Sequence, residues 1–476
     1  MSVVRAAAAA LILLLAAACT APTPPRSQAG TTAAGTACAG PQGPPEAERA
    51  TTVDVIEQAY FCILGNYYSG ATLDARSLLT AGFLALTQEI NRNGREVPEA
   101  TMPMLTGDRE ADWTAFETAY RKITDQVPDL RDKLAVVTLE AVVASLGDNH
   151  ARWIHGDERP IDYYDGDGYG LGLQLNVTRS QVDGSSPRVV PAPLFVTAVE
   201  GGAAQAAGVK PGDVIEAVNG STPFVGGTAT AAIAALYPRY PEARPVELRL
   251  HRPATGRRWT VPLEPGLYRR EWADLQVVRS ELLDDDVAYV RMTGFAPDSA
   301  NRVLRAVTGL RNGRTLSGVV LDLRGNGGGS PAEAIRLLSA FVHGEVTAYQ
   351  CTVDGACAAS RTDDTVELLH LPLVVLVDHG CASACEHFGS AVKALRAGRL
   401  VGTRTAGAIS GAAQPYLLAN NTVLSFPSRH HLGPGREVVD RIGVPPDHHV
   451  VPTPQDAAAG RDPALTRALA LLNGPR

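Results

Sequence analysis

Two stretches of the chain hold residue types that could do covalent chemistry. The first runs Leu321, Asp322, Leu323, Arg324, Gly325, Asn326, Gly327, Gly328, Gly329. An apolar run ends there in glycines, which allow close backbone approach and let N–H groups point at an anion. That suits an oxyanion hole, a phosphate cradle or a plain glycine-rich turn. No Gly-Lys-Ser or Gly-Lys-Thr follows, so it is not a Walker-type phosphate loop. The second runs from Leu371 to Glu386: an apolar strand, then small residues, with Ser383 between Cys381 and Cys385. A serine at a strand-to-helix turn is exposed, and the neighbouring N–H groups stand at a helix N-terminus. Such a site suits a nucleophile whose tetrahedral intermediate needs stabilising. Taken alone, Ser383 equally suits a helix cap.

Histidine could supply the base. His150 ends the run Gly147, Asp148, Asn149, His150, and two adjacent pairs, His430–His431 and His448–His449, lie near Asp447. Adjacent histidines on a strand point to opposite faces, and no His-Glu-x-x-His or Cys-x-x-Cys pattern accompanies them, so neither a metal nor a cofactor is expected.

These residues must be positioned by surrounding elements. Residues 50–150 are expected to be helical: Val53, Ile56, Tyr60 and Leu64 recur at helical spacing, as do Phe116, Tyr120 and Ile123. A further helix, Leu134 to Leu146, stops at Gly147. Residues 165–265 read as a small β-rich module, with alternating Leu171, Leu173 and Leu175 and runs Leu194–Val199, Val214–Val218 and Val246–Leu250. Beyond 287, the runs Val287–Val290, Gly318–Leu323 and Leu373–Val377 are apolar enough for strands buried on both faces. Helices are expected at Asp298–Leu310, Pro331–Val342 and Ser383–Leu395, which makes an α/β layer with crossover helices.

Composition narrows the function classes. A length of 476 residues implies about three domains. Hydrophobic residues at 45% and charged residues at 20% describe a globular chain, and a net charge of −7 argues against nucleic acid as a partner. Only four lysines (Lys122, Lys133, Lys210 and Lys393) are available to a lysine-dependent mechanism. At the N-terminus, Arg5, apolar Ala6–Ala18 and Cys19 read as an export signal too short to span a membrane comfortably. Residues 20–48, rich in Pro, Thr, Ala and Gly, read as a tether. Six cysteines remain beyond Cys19. Cys351 with Cys357 is the best local disulfide pair, Cys38 with Cys62 could pin the tether, and Cys381 with Cys385 could be bridged or free.

Ala16-Ala17-Ala18-Cys19 resembles a bacterial lipobox, with the usual leucine displaced to Leu15. The resemblance implies lipidation at Cys19 and export, the protein being held extracellularly at the outer face of the cytoplasmic membrane.

Asp322–Gly329 and Ser383-Ala384-Cys385-Glu386 together resemble the hallmarks Asp-x-Arg-x-Asn-x-Gly-Gly and Ser-Ala-x-Glu of the tail-specific (C-terminal processing) and tricorn-core serine peptidases. Val401–Gly407 and Gly443–Asp447 followed by Gly460–Leu465 resemble that family's later motifs. Tyr169-Gly170-Leu171-Gly172-Leu173 and Gly201–Gly220 resemble the carboxylate-binding loop and core of a PDZ domain, which captures peptide C-termini by strand addition. The implied fold is multidomain α/β. A signal (1–19) and tether (20–48) precede a helical N-terminal domain (49–155), a PDZ-like module (156–268) and a peptidase core with a crotonase/ClpP-like layer (269–476).

The better-known members use a lysine directly after Thr-x-Gly, where this chain has Ala408. Leu146–His150 instead resembles the Leu-x-Asp-x-His of the tricorn-like branch, and Asp440–Asp447 its Glu-x-x-Gly-Val-x-Pro-Asp. The resemblance therefore implies Ser383 as nucleophile, His150 as base and Asp440 as its orienter, one methylene shorter than glutamate, with Glu386 and Asp447 as alternative acids. Gly328 and Ala384 are the implied oxyanion donors, and Gly170, Leu171, Gly172 and Leu173 the implied peptide contacts. Proteins or peptides with accessible C-termini are the implied substrates; a catalytically inactive binding module on the same fold is the alternative.

Overall fold

Apolar residues at helical spacing build residues 53–144 into four α-helices: α1 (Val53–Asn66), α2 (Ala75–Arg92), α3 (Arg109–Thr124) and α4 (Arg131–Ala144). Asp74 and Asp108 cap α2 and α3, accepting from Arg76 N at 3.1 Å and Ala111 N at 2.8 Å, donors that a helix start otherwise leaves unpaired. After α4, Gly147 adopts φ 57° and turns the chain out of the helix. These arrangements come from a computed structural model that describes residues 38–42, 46–156, 167–182, 190–240, 244–270 and 276–473. Cys19, the export signal and most of the expected tether lie outside the described residues.

The helical core is not made by the helices alone. Ile56, Tyr60, Leu79, Phe116 and Leu139 share one buried cluster with Leu418, Leu424 and Phe426 from far down the chain. Leu424 and Phe426 belong to a three-stranded antiparallel sheet in which β1 (Arg152–Ile154) pairs with Val423–Ser425, and Leu418 directly follows another of its strands.

The β-rich module follows. Strand β2 (Asp167–Gly170) pairs antiparallel with β8 (Gly266–Arg269), and β3 (Leu173–Leu175) with β4 (Val196–Val199). The strands β5 (Val214–Val218), β6 (Val246–Arg252) and β7 (Arg257–Leu263) form an antiparallel ladder. The alternation from Leu171 predicts a longer third strand. Instead Leu171 sits buried in the turn before it, where a Cβ on Gly172 would collide with the Gly201 carbonyl oxygen.

The last part is the α/β layer. Its six-stranded sheet has the order β9–β10–β11–β14–β15–β19, made by β9 (Val278–Leu283), β10 (Val287–Met292), β11 (Gly318–Asp322), β14 (Leu373–Val377), β15 (Arg399–Gly402) and β19 (His448–His449). Only the β9–β10 pair is antiparallel. Every residue of β11 and β14 is buried, as their unbroken apolar runs require. One face is covered by α5 (Ser299–Arg311), α6 (Pro331–Ser339) and α7 (Ala384–Ala394), which pack on Val319, Leu321, Val375 and Val377. The other meets α8 (Pro463–Asn473) through Val320, Val374 and Leu376. Two short antiparallel pieces flank the layer: β12 (Val346–Cys351) lies between β13 (Cys357–Arg361) and β18 (His430–Leu432), and β16 (Ala413–Leu417) pairs with β17 (Val423–Pro427).

Phe426 is fully buried where β17 meets the helices, with Tyr416 stacked on it and Tyr67 edge-on. Phe426→Ala is expected to lower unfolding stability by about 3–5 kcal/mol, read as a fall in the denaturant midpoint. Because that core spans both parts, the helical and hairpin signals are expected to melt together.

Candidate functional site

The site is built where β14 ends. Asp378 follows that strand, and its Oδ1 accepts from Gly325 N at 2.8 Å and Gly380 N at 2.9 Å, tying the turn to the glycine-rich loop. The chain then passes through Ser383 at φ 56°, ψ −120° and enters α7. A non-glycine residue held there stores about 1–3 kcal/mol of backbone strain. The seryl N–H donates to Ala408 O at 2.9 Å.

The glycine-rich loop abuts this turn. A Cβ on Gly328 would stand 2.7 Å from Ser383 Cβ and 2.9 Å from Ala384 N, so only glycine fits. The loop is anchored by Asp322, fully buried and held ionised by Arg324, whose Nη2 also reaches Asp462 at 2.7 Å. Asn326 is equally buried. Its Nδ2 donates to Met292 O at 3.0 Å, and its Oδ1 accepts Gly328 N–H at 2.9 Å. The expected oxyanion pair is therefore unequal in this conformation: Gly328 N–H is directed at Asn326. Ala384 N–H has no protein acceptor among the described residues. Phe295 bonds to Gly328 O and Ser330 N, so the N–H of Gly329 between them faces the opposite side.

The histidine arrives from the helical part. The Gly147 turn presents Asp148, Asn149 and His150, and His150 Nε2 lies 3.2 Å from Ser383 Oγ. Its Nδ1 lies 2.6 Å from Asn149 Oδ1. The Asn149 amide orientation is fixed because its Nδ2 faces two acceptors, Asp440 Oδ1 at 3.1 Å and Gly407 O at 3.3 Å. An amide oxygen only accepts, so Nδ1 carries the proton and the neutral ring turns the lone pair of Nε2 toward the serine hydroxyl. Burial pushes the His150 pKa down, while the Asp148 and Asp440 charges oppose that shift.

Asp440, expected directly on the imidazole, stands one side chain further out and reaches it through Asn149. It is buried, and also accepts from Ile409 N at 3.3 Å. Asp148 is a second carboxylate at the ring. Its Oδ1 accepts from His150 N at 2.8 Å and Ser410 Oγ at 2.6 Å, and Ser410 Oγ lies 3.3 Å from His150 Nδ1. Its Oδ2 accepts from Tyr67 OH at 2.8 Å, and burial with that carboxylate raises the phenol's pKa. The sequence assigns no role to Asn149 or Ser410, and Asp148 and Gly329 enter it only as motif positions. Asn149 lies 291 residues from Asp440, and Ser410 262 from Asp148, so no local spacing could pair them.

The other acids and the lysine have separate partners. Glu386 is fully buried and accepts from Thr405 Oγ1 and Gly407 N at 2.5 Å and Ala408 N at 2.7 Å. Asp447 accepts from Leu400 N at 2.8 Å and pairs with Lys393 at 3.2 Å, and Lys393 also donates to Pro445 O at 2.7 Å. Among the described residues no group of three or more His, Cys, Asp or Glu side chains could hold a metal ion. Disulfides join Cys38–Cys62, Cys351–Cys357 and Cys381–Cys385. In the β-rich module, Gly170 pairs with Gly266 and Leu173 with Val199, while Leu171 O and Gly172 O accept from Ala204 N and Glu200 N at 3.0 and 2.9 Å.

Residues 286–450 match peptidase family S41. The chain is 29% identical over 289 residues to carboxyl-terminal-processing peptidase 2, chloroplastic, of Arabidopsis thaliana, covering 59% of this chain and 53% of that protein. It is 27% identical over 380 residues to tricorn protease homolog 1 of Streptomyces coelicolor, covering 76% of this chain and 32% of that one. The chain thus spans about half the length of the first relative and a third of the second. The crystal structure of mature CPAF superposes with a TM-score of 0.51 at 12% identity, covering 83% of this chain and 98% of that one, a likeness of fold.

Behind the site, His387 and His431 are buried with ring centroids 5.2 Å apart, and burial lowers their pKa values to about 4 and about 3. An unfolded chain protonates both near the ordinary value of about 6.5, so the stability they contribute is complete above that pH and is lost as the pH falls toward the folded values. The melting temperature is expected to fall across this window, and a His387→Gln/His431→Gln variant to show a shallower fall in the same scan.

Proposed function

We propose, from the premise that residues 286–450 form a peptidase family S41 domain, that this protein is a serine endopeptidase of the C-terminal processing kind. The observation that carries the reading is the 3.2 Å approach of His150 Nε2 to Ser383 Oγ, with the ring's Nδ1 engaged by an amide oxygen that only accepts. A serine serving only as a helix cap has no need of a base so oriented.

The reaction follows from these contacts. Ser383 Oγ attacks the carbonyl carbon of the scissile peptide bond while His150 Nε2 takes the hydroxyl proton. The charged imidazolium is stabilised by Asp148, beside the ring, and by Asp440, acting through the Asn149 amide. The oxyanion is met by Ala384 N–H at the start of α7, with a glycine-loop N–H as second donor. His150 then returns the proton to the leaving amine. A water, deprotonated by the same nitrogen, attacks the acyl ester and releases the second product and the free serine. No metal or cofactor enters these steps. Lys393, engaged by Asp447 and Pro445, has no part in them.

The β-rich module is proposed as a PDZ domain that engages substrate C-termini or gates the site, through the segment Gly170–Leu173. Protein or peptide chains with accessible C-termini are the proposed substrates. The export signal and Cys19 support a lipid-anchored enzyme at the outer face of the cytoplasmic membrane.

A fluorophosphonate probe tests the nucleophile. Wild type and Lys393→Ala are expected to label at Ser383, whereas Ser383→Ala does not label and His150→Ala labels at least about a hundredfold more slowly. Equal loss in a folded Lys393→Ala would overturn the assignment of the base.

The pH profile of kcat/KM provides a second check. His150 must be neutral to accept the proton, and burial lowers its pKa, so activity is present above that pKa and lost as the pH falls through it. The acidic limb is expected below the ordinary imidazole value of about 6.5. A limb above that value would contradict a buried His150 as base.

A further inference from the structure

The turn that carries Ser383 is closed by a covalent bond that the proposed chemistry does not use. Cys381 and Cys385 stand on either side of the serine and are joined in a disulfide, with Cα atoms 5.4 Å apart. Both are fully buried and pack with Leu323, Val377 and Phe388 in the core beneath the sheet's helical face. One belongs to the strand side of the turn and the other to the first turn of α7.

Backbone hydrogen bonds tie the turn to other loops, Ala382 N to Asn326 O at 3.0 Å, Ser383 N to Ala408 O at 2.9 Å and Ala406 N to Cys381 O at 2.8 Å, and one spans the serine within it, Cys385 N to Ala382 O at 3.1 Å. The disulfide adds a covalent link between the two ends of the turn. It thereby sets where Ser383 Oγ stands relative to Ala384 N–H and His150 Nε2, while the serine occupies a backbone conformation that L-residues avoid.

Chain entropy gives this bond little else to do. The sequence separations of the three disulfides are 24, 6 and 4 residues, and this one is the shortest. Constraint of the unfolded chain grows with loop length, so it contributes least of the three to overall stability by that route.

We infer that Cys381 and Cys385 are positioning residues for Ser383, and that the site turns over in the disulfide form and loses turnover when a dithiol reduces that bond. This rests on Ser383 being the nucleophile. A dithiol such as dithiothreitol gives up two electrons and two protons and becomes a cyclic disulfide, while the cystine becomes two thiols. Oxidised glutathione reverses the change, the cysteines re-forming their bond as it is reduced to two thiols. Two unbonded sulfurs need more room than a bonded pair, in a core packed too closely to give it without moving the turn. Cys357 is partly exposed whereas Cys381 and Cys385 are not, so the Cys351–Cys357 bond opens first and serves as an internal control.

The test uses the purified full chain. Alkylation and mass mapping follow which disulfides open as dithiothreitol is raised, and fluorophosphonate labelling of Ser383 is read on the same samples. Opening Cys351–Cys357 is expected to leave the labelling rate unchanged. Opening Cys381–Cys385 is expected to lower it about ten- to a hundredfold, the scale of a displaced reacting atom, with recovery on reoxidation. In a C381A/C385A variant kcat is expected to fall by a similar factor with KM within about twofold, while the melting temperature shifts by only about a few degrees. C351A/C357A is expected to match wild type. Should C381A/C385A not fold, the reduction series on wild type carries the test alone. A folded protein that labels at the wild-type rate with this bond open overturns the positioning role and leaves the nucleophile in place. A wild type that never labels removes the nucleophile itself, and the positioning role with it.

Discussion

A buried carboxylate holds the site together. Glu386 lies on the first turn of α7, three residues past Ser383, with no exposure to solvent. An ionised group in such a place survives only by collecting donors, and it takes them from the 405–408 segment. That segment then does several things at once. Ala408 O receives the seryl N–H, Gly407 O receives Asn149 Nδ2, and Gly407 O also accepts from Arg441 N at 2.7 Å. Two residues on, Ser410 reaches Asp148 and the imidazole. Serine, histidine and acid come from three distant stretches of chain, and each touches the loop that this one side chain fixes. Replacing it with an apolar residue would orphan buried N–H groups as well as remove a charge.

The site also joins two parts of the fold. Ser383 belongs to the α/β layer and His150 to the end of the helical region, and the two are aligned because the helices share their core with the β16–β17 hairpin. Arg441 adds a direct tie, with Nη2 donating to Gly147 O at 2.7 Å from the residue beside Asp440. The turn that presents the histidine is thus held at its stem by the segment that supplies the acid.

Much of this was legible from residue order, and for identifiable reasons. The runs Val214–Val218 and Leu373–Val377 mark their strands to the residue, and the apolar spacing of α1 places Ile56, Tyr60 and Leu64 inside. Ser383 and the glycine-rich loop stand out because their chemistry is local: a strand end, small residues, a helix start. The short strands of residues 346–361 and 413–432 did not stand out. Their burial is patchy, as at Ala413–Leu417, because neither face is wholly covered, and patchy burial leaves no clean alternation to read. The part played by Asn149 was equally hidden. An aspartate at 440 is one methylene short of a glutamate, and the amide of Asn149 spans the gap, a fact that exists only in three dimensions.

One further feature concerns mechanics. Residues 38–42 and 46–50 lie along the β16–β17 hairpin: Ala39 O accepts from Leu417 N and Asn420 O from Arg49 N, both at 2.9 Å, and Asn421 Nδ2 donates to Ala47 O at 2.8 Å. Cys38, at the outer end of this strip, is bonded to Cys62 in the middle of α1. A pull on the chain ahead of Cys38 therefore enters the body of the protein through a covalent clamp on a buried helix. The hydrogen bonds that follow are shielded from that load. Tension on the leading segment ends at α1 and does not peel the hairpin whose root, at Ala413, lies three residues from Ser410.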